Sequence, residues 1–400
     1  MTQPNSESLL TKATLLAVSS LTVMAGATIA PSLPAMQDHF TEVANVEFWV
    51  RLVLTMPALF IVIGSPIAGI IVDRLGRKPL LLTCAALYGF AGCSGFFLNS
   101  LFAILGGRAF LGLAVAGIMV SATTLIADYY VGAARATFMG LQAAFMGLGG
   151  VIFLSVGGSV AEVNWRYPFL IYLFAWVLLP LILISIYEPR RHNWETQPQE
   201  NQENVNFATP TNLLILIFGI TTLSQIIFYL IPVQLPFYLR TLTKATPVQS
   251  GLAIALITLF SAFASMGYGA VKRRLDFVTI LPIIFAFLGI GYTIIGTANS
   301  YAIILLGLAI AGLGLGLLMP NMNVWLSASV PDAIRGRALG GLSTSMFLGQ
   351  FLSPILSQPI SQNFGLGTTY TLSGGLLVVL AIAFTVMKRQ VKNFTAAKAL

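Results

Sequence analysis

Twelve long apolar runs, separated by short polar stretches, leave this chain few ways to fold. They fall at about 12–34, 48–72, 79–98, 101–127, 137–160 and 167–187, then at about 211–235, 248–271, 279–298, 301–327, 337–360 and 368–387. An α-helix needs roughly 20 apolar residues to cross the hydrocarbon core of a bilayer. Within lipid every backbone N–H and C=O must be satisfied internally, which a helix does at once. The expectation is an all-α membrane protein with twelve transmembrane helices. Composition rules out a water-facing surface of ordinary size. Of the 400 residues 57% are hydrophobic and 8% charged, against roughly 25% charged in soluble domains.

The runs divide six and six around a polar segment, Glu188 to Pro210. It carries Arg190, Arg191, Glu195, Glu200 and Glu203 among Gln and Asn and reads as a solvated linker. The expected organisation is a six-helix bundle over 1–187, a cytoplasmic linker over 188–210, and a second six-helix bundle with a short cytoplasmic tail over 211–400. The halves repeat at an offset of 200. Gly69 falls on Gly269, Arg74 on Arg274, Gly107 on Gly307, Gly112 on Gly312, Arg135 on Arg335, Gly140 on Gly340 and Gly149 on Gly349. Two pseudo-symmetric six-helix bundles related by an axis along the membrane normal are an architecture common among transporters.

Charge placement orients the chain. Sixteen of the 21 Lys and Arg fall on the face that carries both termini, four (Arg51, Arg166, Arg240, Lys244) fall on the other, and Arg108 is left inside a run. Basic loops stay in the cytoplasm, so both termini are expected there, in a multi-pass protein of a bacterial cytoplasmic (inner) membrane. The net charge of +8 is spread over short loops, which argues against a nucleic-acid partner. Cys84 and Cys93 share one run, nine residues apart, and cannot bridge. Lys12 followed by Ala25-Gly26-Ala27 imitates a cleavable secretory signal, but the run continues to Leu33 and has a counterpart 200 residues on, so it reads as a true span.

Between the second and third runs lies Gly69-Ile70-Ile71-Val72-Asp73-Arg74-Leu75-Gly76-Arg77-Lys78-Pro79. Gly76 and Pro79 suit a tight turn into a new helix. The pattern Gly-x-x-x-Asp-Arg-x-Gly-Arg-Lys resembles the loop between helices 2 and 3 of the major facilitator superfamily of transporters, and within it the twelve-helix bacterial drug:proton antiporters. The resemblance implies a cytoplasmic latch built from Gly69, Asp73, Arg74, Gly76, Arg77 and Asp128. Asp73 would face the N-terminus of helix 11, near Arg337, where a carboxylate meets the positive end of the helix dipole. Arg77 would reach Asp128 at the end of helix 4. Such a latch would hold the halves together on the cytoplasmic side and favour an outward-open state. The competing reading is a basic loop that only sets topology, to which Asp73 adds nothing. The equivalent second-half loop keeps Arg273 and Arg274 but lacks Gly-Arg-Lys.

Arg108 is the one charge well inside a run. An Arg at a helix centre costs ~2.5–3.5 kcal/mol on insertion scales, so it is expected to face a cavity or partner rather than snorkel to the interface. Gly107-Arg108-Ala109-Phe110-Leu111-Gly112 resembles the superfamily's Arg-x-x-x-Gly motif, which implies proton coupling. Asp38 is the nearest candidate acid, if helix 1 runs on through Pro34; a solvated loop acid is the plainer reading. On helix 5, Gly140, Gly149, Gly157 and Gly158 keep the register of the antiporter motif, but its Gly-Pro pair is replaced by Phe153-Leu154. Helix 11 carries Gly349 and Ser353-Pro354 at the matching offset. With Gly112, these small residues and Pro354 are expected at close helix contacts and in gating.

The central cavity is expected among helices 1, 4, 7 and 10, with 2, 5, 8 and 11 contributing. Gln225 and Tyr229 are four apart and share a helix face, as do Asn321 and Trp325; with Gln142 these are the candidate substrate contacts. Neutral amides and aromatics suit amphiphilic or neutral solutes. The sequence offers no nucleotide loop, metal-ligand cluster or nucleophile–base pair, so no metal or cofactor is expected. A membrane enzyme would need clustered acids or His at one face, and a sensor would need a larger soluble domain. The reading is a monomeric secondary transporter in the lipid bilayer, exporting a small-molecule substrate in exchange for protons, as in multidrug efflux. Uptake or facilitated transport without proton antiport is the alternative.

Overall fold

The computed structural model describes residues 8–189 and 211–390, apart from the side chains of Ala27, Ala136, Asp332 and Ala333. Among the described residues the chain is helical throughout, with twelve helices long and apolar enough to span a membrane. They are α1 (Leu9–His39), α2 (Val46–Leu75), α3 (Arg77–Phe97), α4 (Leu101–Tyr129), α5 (Gly132–Val163), α6 (Tyr167–Ser185), α7 (Thr211–Thr243), α8 (Pro247–Arg274), α9 (Phe277–Gly296), α10 (Tyr301–Ser329), α11 (Asp332–Phe364) and α12 (Leu366–Val386). An even number of spans puts both chain ends on one face, called here the terminal face; the opposite one is the far face.

The first helix of each half is broken. α1 comprises Leu9–Ala27, a short 3-10 turn at Ala30–Ser32, and Leu33–His39. α7 comprises Thr211–Phe228 and Leu230–Thr243, with Tyr229 between. Pro31, Pro34 and Pro232 remove donors near these breaks, and neighbouring helices satisfy the main chain. Four tyrosines, all fully buried, do this in matched pairs. Tyr88 on α3 donates to Leu21 O at 2.7 Å, and Tyr172 on α6 to Ala25 O at 3.1 Å. In the second half Tyr292 on α9 donates to Ile227 O at 2.8 Å, and Tyr370 on α12 to Leu230 O at 2.9 Å.

The repeat extends to the packing of α2 on α4 and of α8 on α10. A Cβ on Gly112 would lie 2.7 Å from Phe60 Cβ and 2.5 Å from Pro57 O. One on Gly312 would lie 2.8 Å from Phe260 Cβ and 2.7 Å from Ile257 O. Only glycine permits either approach, and the contacted residues also differ by 200.

The halves meet along α5–α8 and α2–α11. On the far side the seam is tight: a Cβ on Gly158 would sit 2.8 Å from Pro247 O and 3.4 Å from the Gly251 Cα. Toward the terminal face it opens. Gly140 and Gly340 have nothing within 4 Å of a built Cβ. Met139, Gly140, Leu141, Ala143, Ala144 and Phe145 are all exposed. Successive helical positions point ~100° apart, so this stretch of α5 is bare on more than its lipid side. The halves are joined at the far face and parted at the terminal face. A cytoplasmic latch favouring an outward-open state was the expectation; among the described residues, the polar contacts between the halves that can be named lie at the far end.

Candidate transport site

The loop after α2 is built around a carboxylate that the sequence reading did not single out. Gly76 ends α2 and opens α3 with φ +97°, a left-handed conformation that suits glycine. Glu188, just beyond α6, accepts from Arg77 N at 2.8 Å and Lys78 N at 2.7 Å. It thereby caps the bare N-terminus of α3. A Cβ on Gly76 would come within 2.7 Å of its Oε1. Lys78 Nζ donates to Leu183 O at 2.8 Å, and the Tyr129 and Tyr187 rings stack at 4.4 Å. Arg77 Nε pairs with Asp128 at 2.9 Å, but both belong to the first half, so this pair does not tie the halves together. Asp73 and Arg74 lie exposed at the end of α2, and Gly69 meets nothing within 4 Å. In the second half Asp276 caps α9 through Thr279 N at 2.8 Å. The sequence clue to Glu188 was its position: an acid that follows α6 on the same face as the α2–α3 turn.

Arg108 is 1% exposed, and its named partners are neutral. Its Nε donates to Val53 O at 3.0 Å, one Nη to Tyr172 Oη at 2.8 Å and the other to Ala25 O at 2.5 Å. The geometry has a local cause. Val53 O would ordinarily accept from residue 57, but Pro57 has no N–H. Ala25 lies in the last turn of the first segment of α1, where helical donors run out. Arg108 supplies both. At the second-half positions stand Ile257 and Leu308, an N–H restored and the arginine gone. Asp38 is placed away from Arg108: its carboxylate pairs with Arg240 of α7 at 2.6 Å, at the far face, with both side chains about half exposed.

The expected substrate contacts separate into two groups. Tyr229, at the break of α7, reaches across the seam; a Cβ on Gly26 of α1 would lie 2.9 Å from its hydroxyl. Gln225 is one turn earlier, 3% exposed, and its Oε1 has no hydrogen-bond partner. Gly349 of α11 packs on it, a built Cβ falling 2.7 Å from Gln225 Cβ. Gln142 donates to Ser19 Oγ at 2.8 Å between α5 and α1, below Gly149, which faces Ser20, and Gly157, which lies against the Thr28 carbonyl. Asn321 and Trp325 sit elsewhere. Asn321 is fully buried, accepting from Tyr268 at 3.2 Å and donating to Phe277 O at 3.2 Å. Trp325 stacks on Phe277 at 5.9 Å. Both hold α8, α9 and α10 together inside the second half. Pro354 lies within α11; the preceding Ser353 donates to Ile226 O at 2.7 Å.

The far-face seam carries a polar chain that sequence reasoning missed, having counted Arg51 only among the charges of that face. Arg51 is 4% exposed. Its Nε donates to Gln234 Oε1 at 2.7 Å, and its guanidinium lies 4.1 Å over the Phe237 ring. Gln234 Nε2 donates to Gln358 Oε1 at 3.1 Å, and Gln358 Nε2 to Glu47 Oε2 at 3.2 Å.

A family model described as Major Facilitator Superfamily matches residues 15–275 and 217–399. The chain belongs to that superfamily. It is a membrane transporter, not an enzyme. Within the superfamily it is 24% identical to the class D tetracycline resistance protein of Salmonella ordonez over 384 residues, 93% of this chain and 96% of that protein. It is 24% identical to the multi-drug resistance efflux pump PmrA of Streptococcus pneumoniae, covering 86% of this chain and 88% of the pump. It is 23% identical to the bacillibactin exporter of Bacillus subtilis over 83% of this chain and 85% of the exporter. Its fold is that of a bacterial homologue of the lysosomal transporter Spinster, solved inward-facing and occupied, with TM-score 0.78, 16% identity, and 94% and 96% of the two chains covered. A D-xylose–proton symporter superposes with TM-score 0.76, 18% identity, and 94% and 97% covered.

Proposed function

We propose that this transporter exports small amphiphilic or neutral solutes by alternating access, driven by proton entry, as a monomer in a bacterial cytoplasmic membrane. Basic residues crowd the terminal face, so that face, with both termini, is assigned to the cytoplasm. The observation that carries the reading is the seam itself: parted toward the cytoplasm, shut outside, with Tyr229 and the unpaired Gln225 Oε1 beside it. An exporter loads its solute in this state. The efflux proteins named above, similar over most of their length, support the direction. Transport proceeds by rocking the bundle over 1–187 against that over 211–400 about the seam. The segment 188–210 acts as their cytoplasmic connection; from residue 190 on, it lies outside the described residues.

A second reading, facilitated transport or uptake without proton antiport, is favoured by one feature: the hydrogen bonds of Arg108 go to carbonyls and a tyrosine, not to a carboxylate. Everted vesicles holding a pH gradient separate the two. Export predicts that a panel of amphiphilic cations and neutral drugs contains compounds that dissipate the gradient, and that Gln225→Ala and Tyr229→Ala abolish the response. Solute flux that ignores an imposed gradient sinks proton antiport.

A further inference from the structure

The seam at the far face is closed by two carboxylates of the first half that accept from the second, and by Arg51 of the first half, which donates to Gln234 of the second. Asp38 accepts from Arg240, and Glu47 Oε2 accepts from Gln358 and Gln362, both at 3.2 Å. The chain from Arg51 to Glu47 runs in one direction only. A guanidinium has no acceptor, so Gln234 must present its carbonyl oxygen to Arg51 and its amide nitrogen to Gln358. Gln358 then presents its own nitrogen to Glu47, which must accept. Both amide orientations are thereby fixed by chemistry. Arg51, Gln234 and Gln358 are 4%, 0% and 2% exposed, while Glu47 is partly open to the far-face medium. The dry chain ends in one wet carboxylate.

We infer that Glu47 is a proton-binding site that sets the outer gate: its carboxylate holds the far face shut, and its protonation from outside releases it. The surroundings leave little else to titrate. Arg51, one turn along α2, is the charged neighbour, and it also donates to Glu47 O at 2.6 Å. The facing elements bring amides: Gln37 from α1, Gln234 from α7, Gln358 and Gln362 from α11. The Asp38–Arg240 pair lies farther along the same seam. Hydrogen bonds to an ionised acceptor are roughly twice as strong as neutral ones, and the attraction to Arg51 vanishes with the charge. Acid therefore weakens closure and alkali restores it. Because Glu47 meets the far-face medium in the closed state, the proton returns the way it came. The site regulates opening and does not itself carry the exchanged proton.

The inference rests on the assignment of the far face to the outside, and its test needs no transport. In full-length protein carrying Cys84→Ala and Cys93→Ala, spin labels on Val163→Cys and Phe364→Cys report the distance between the halves at the far face. From neutral pH down through the ordinary carboxylate range the ratio of open to closed populations should rise, by up to roughly tenfold near pH 3.3. Glu47→Gln should sit on the open side throughout this range and lose the response. Gln358→Glu, which sets a second carboxylate against the first, should reverse it, opening as pH rises. A wild-type response surviving in Glu47→Gln overturns the proposal. So does a response that disappears in Asp38→Asn and persists in Glu47→Gln. Loss of drug export with this distance change intact would instead count against the export reading alone.

Discussion

The second half of the chain already contains an experiment on the first. Where the first half has Pro57 and Arg108, the second has Ile257 and Leu308, and the helices around both pairs pack alike. Arg108→Leu removes the donor to Val53 O, which Pro57 has deprived of its helical one. Ala25 O keeps the Tyr172 hydroxyl at 3.1 Å, so one carbonyl is truly orphaned. A buried unsatisfied carbonyl costs about 1–3 kcal/mol; relief from burying a cation offsets part of it. Arg108→Leu should therefore destabilise by about 1–2 kcal/mol. Pro57→Ile returns an N–H to Val53, and Ile257 shows that the residue fits against a glycine of α10. The double variant Pro57→Ile/Arg108→Leu should recover about 1 kcal/mol or more of the loss. Thermal unfolding of the purified protein in detergent, followed by tryptophan fluorescence across the four members of the cycle, measures the coupling. Additivity within about 0.5 kcal/mol would refute the claim that Arg108 stands in for the missing proline N–H. If the double variant is stable yet no longer dissipates a pH gradient with its solute, Arg108 has a coupling role beyond the repair.

Three further outcomes are expected. Gly112→Ala should destabilise by about 1–3 kcal/mol through overpacking, because its Cβ meets the Pro57 carbonyl and Phe60, whereas Gly140→Ala, facing open space, should leave melting unchanged or slightly raised; equal effects would contradict the parted terminal face. Glu188→Ala should lower stability by about 0.5–2 kcal/mol as a lost helix cap, and hydrogen exchange at Arg77 and Lys78 should quicken locally; unchanged protection there would remove Glu188 from the loop. Gln225→Leu deletes a buried amide whose oxygen is unpaired, so melting should hold steady or rise while solute transport falls. A variant that melts lower with normal transport would make Gln225 a packing residue.

Much of the architecture was legible because lipid imposes it. Apolar length acts on each segment separately, so the runs at 48–72 and 301–327 anticipate α2 and α10 to within a few residues. The repeat was legible for the same reason, since Gly112 and Gly312 answer to the same local packing. What escaped depends on two segments meeting. Nothing near Glu188 marks it as a cap until α6 delivers it to Arg77 and Lys78. Asn321 and Trp325 share a helix face, as expected, but periodicity cannot say which face looks at the seam; Tyr268 and Phe277 claim it. Arg51 could be assigned to the far face, but its burial depends on Gln234 and Phe237 of α7, in the other half of the chain.

Taken together, the asymmetries between the halves all fall on the first. It carries the proline in α2 and the arginine in α4 that repairs it. It holds its α3 turn with Glu188 from α6, where the second half needs only the local Asp276. It also supplies both carboxylates of the far seam, which accept from Arg240 and Gln358 of the second. Two copies of one bundle would have had identical surfaces facing each other, and identical carboxylates or identical cations across a seam repel. Placing the carboxylates on one half and their donors on the other turns a self-repelling contact into a closing one. The price is that closure depends on charge, so a single proton at Glu47 acts on the gate in a way no proton could in an apolar seam.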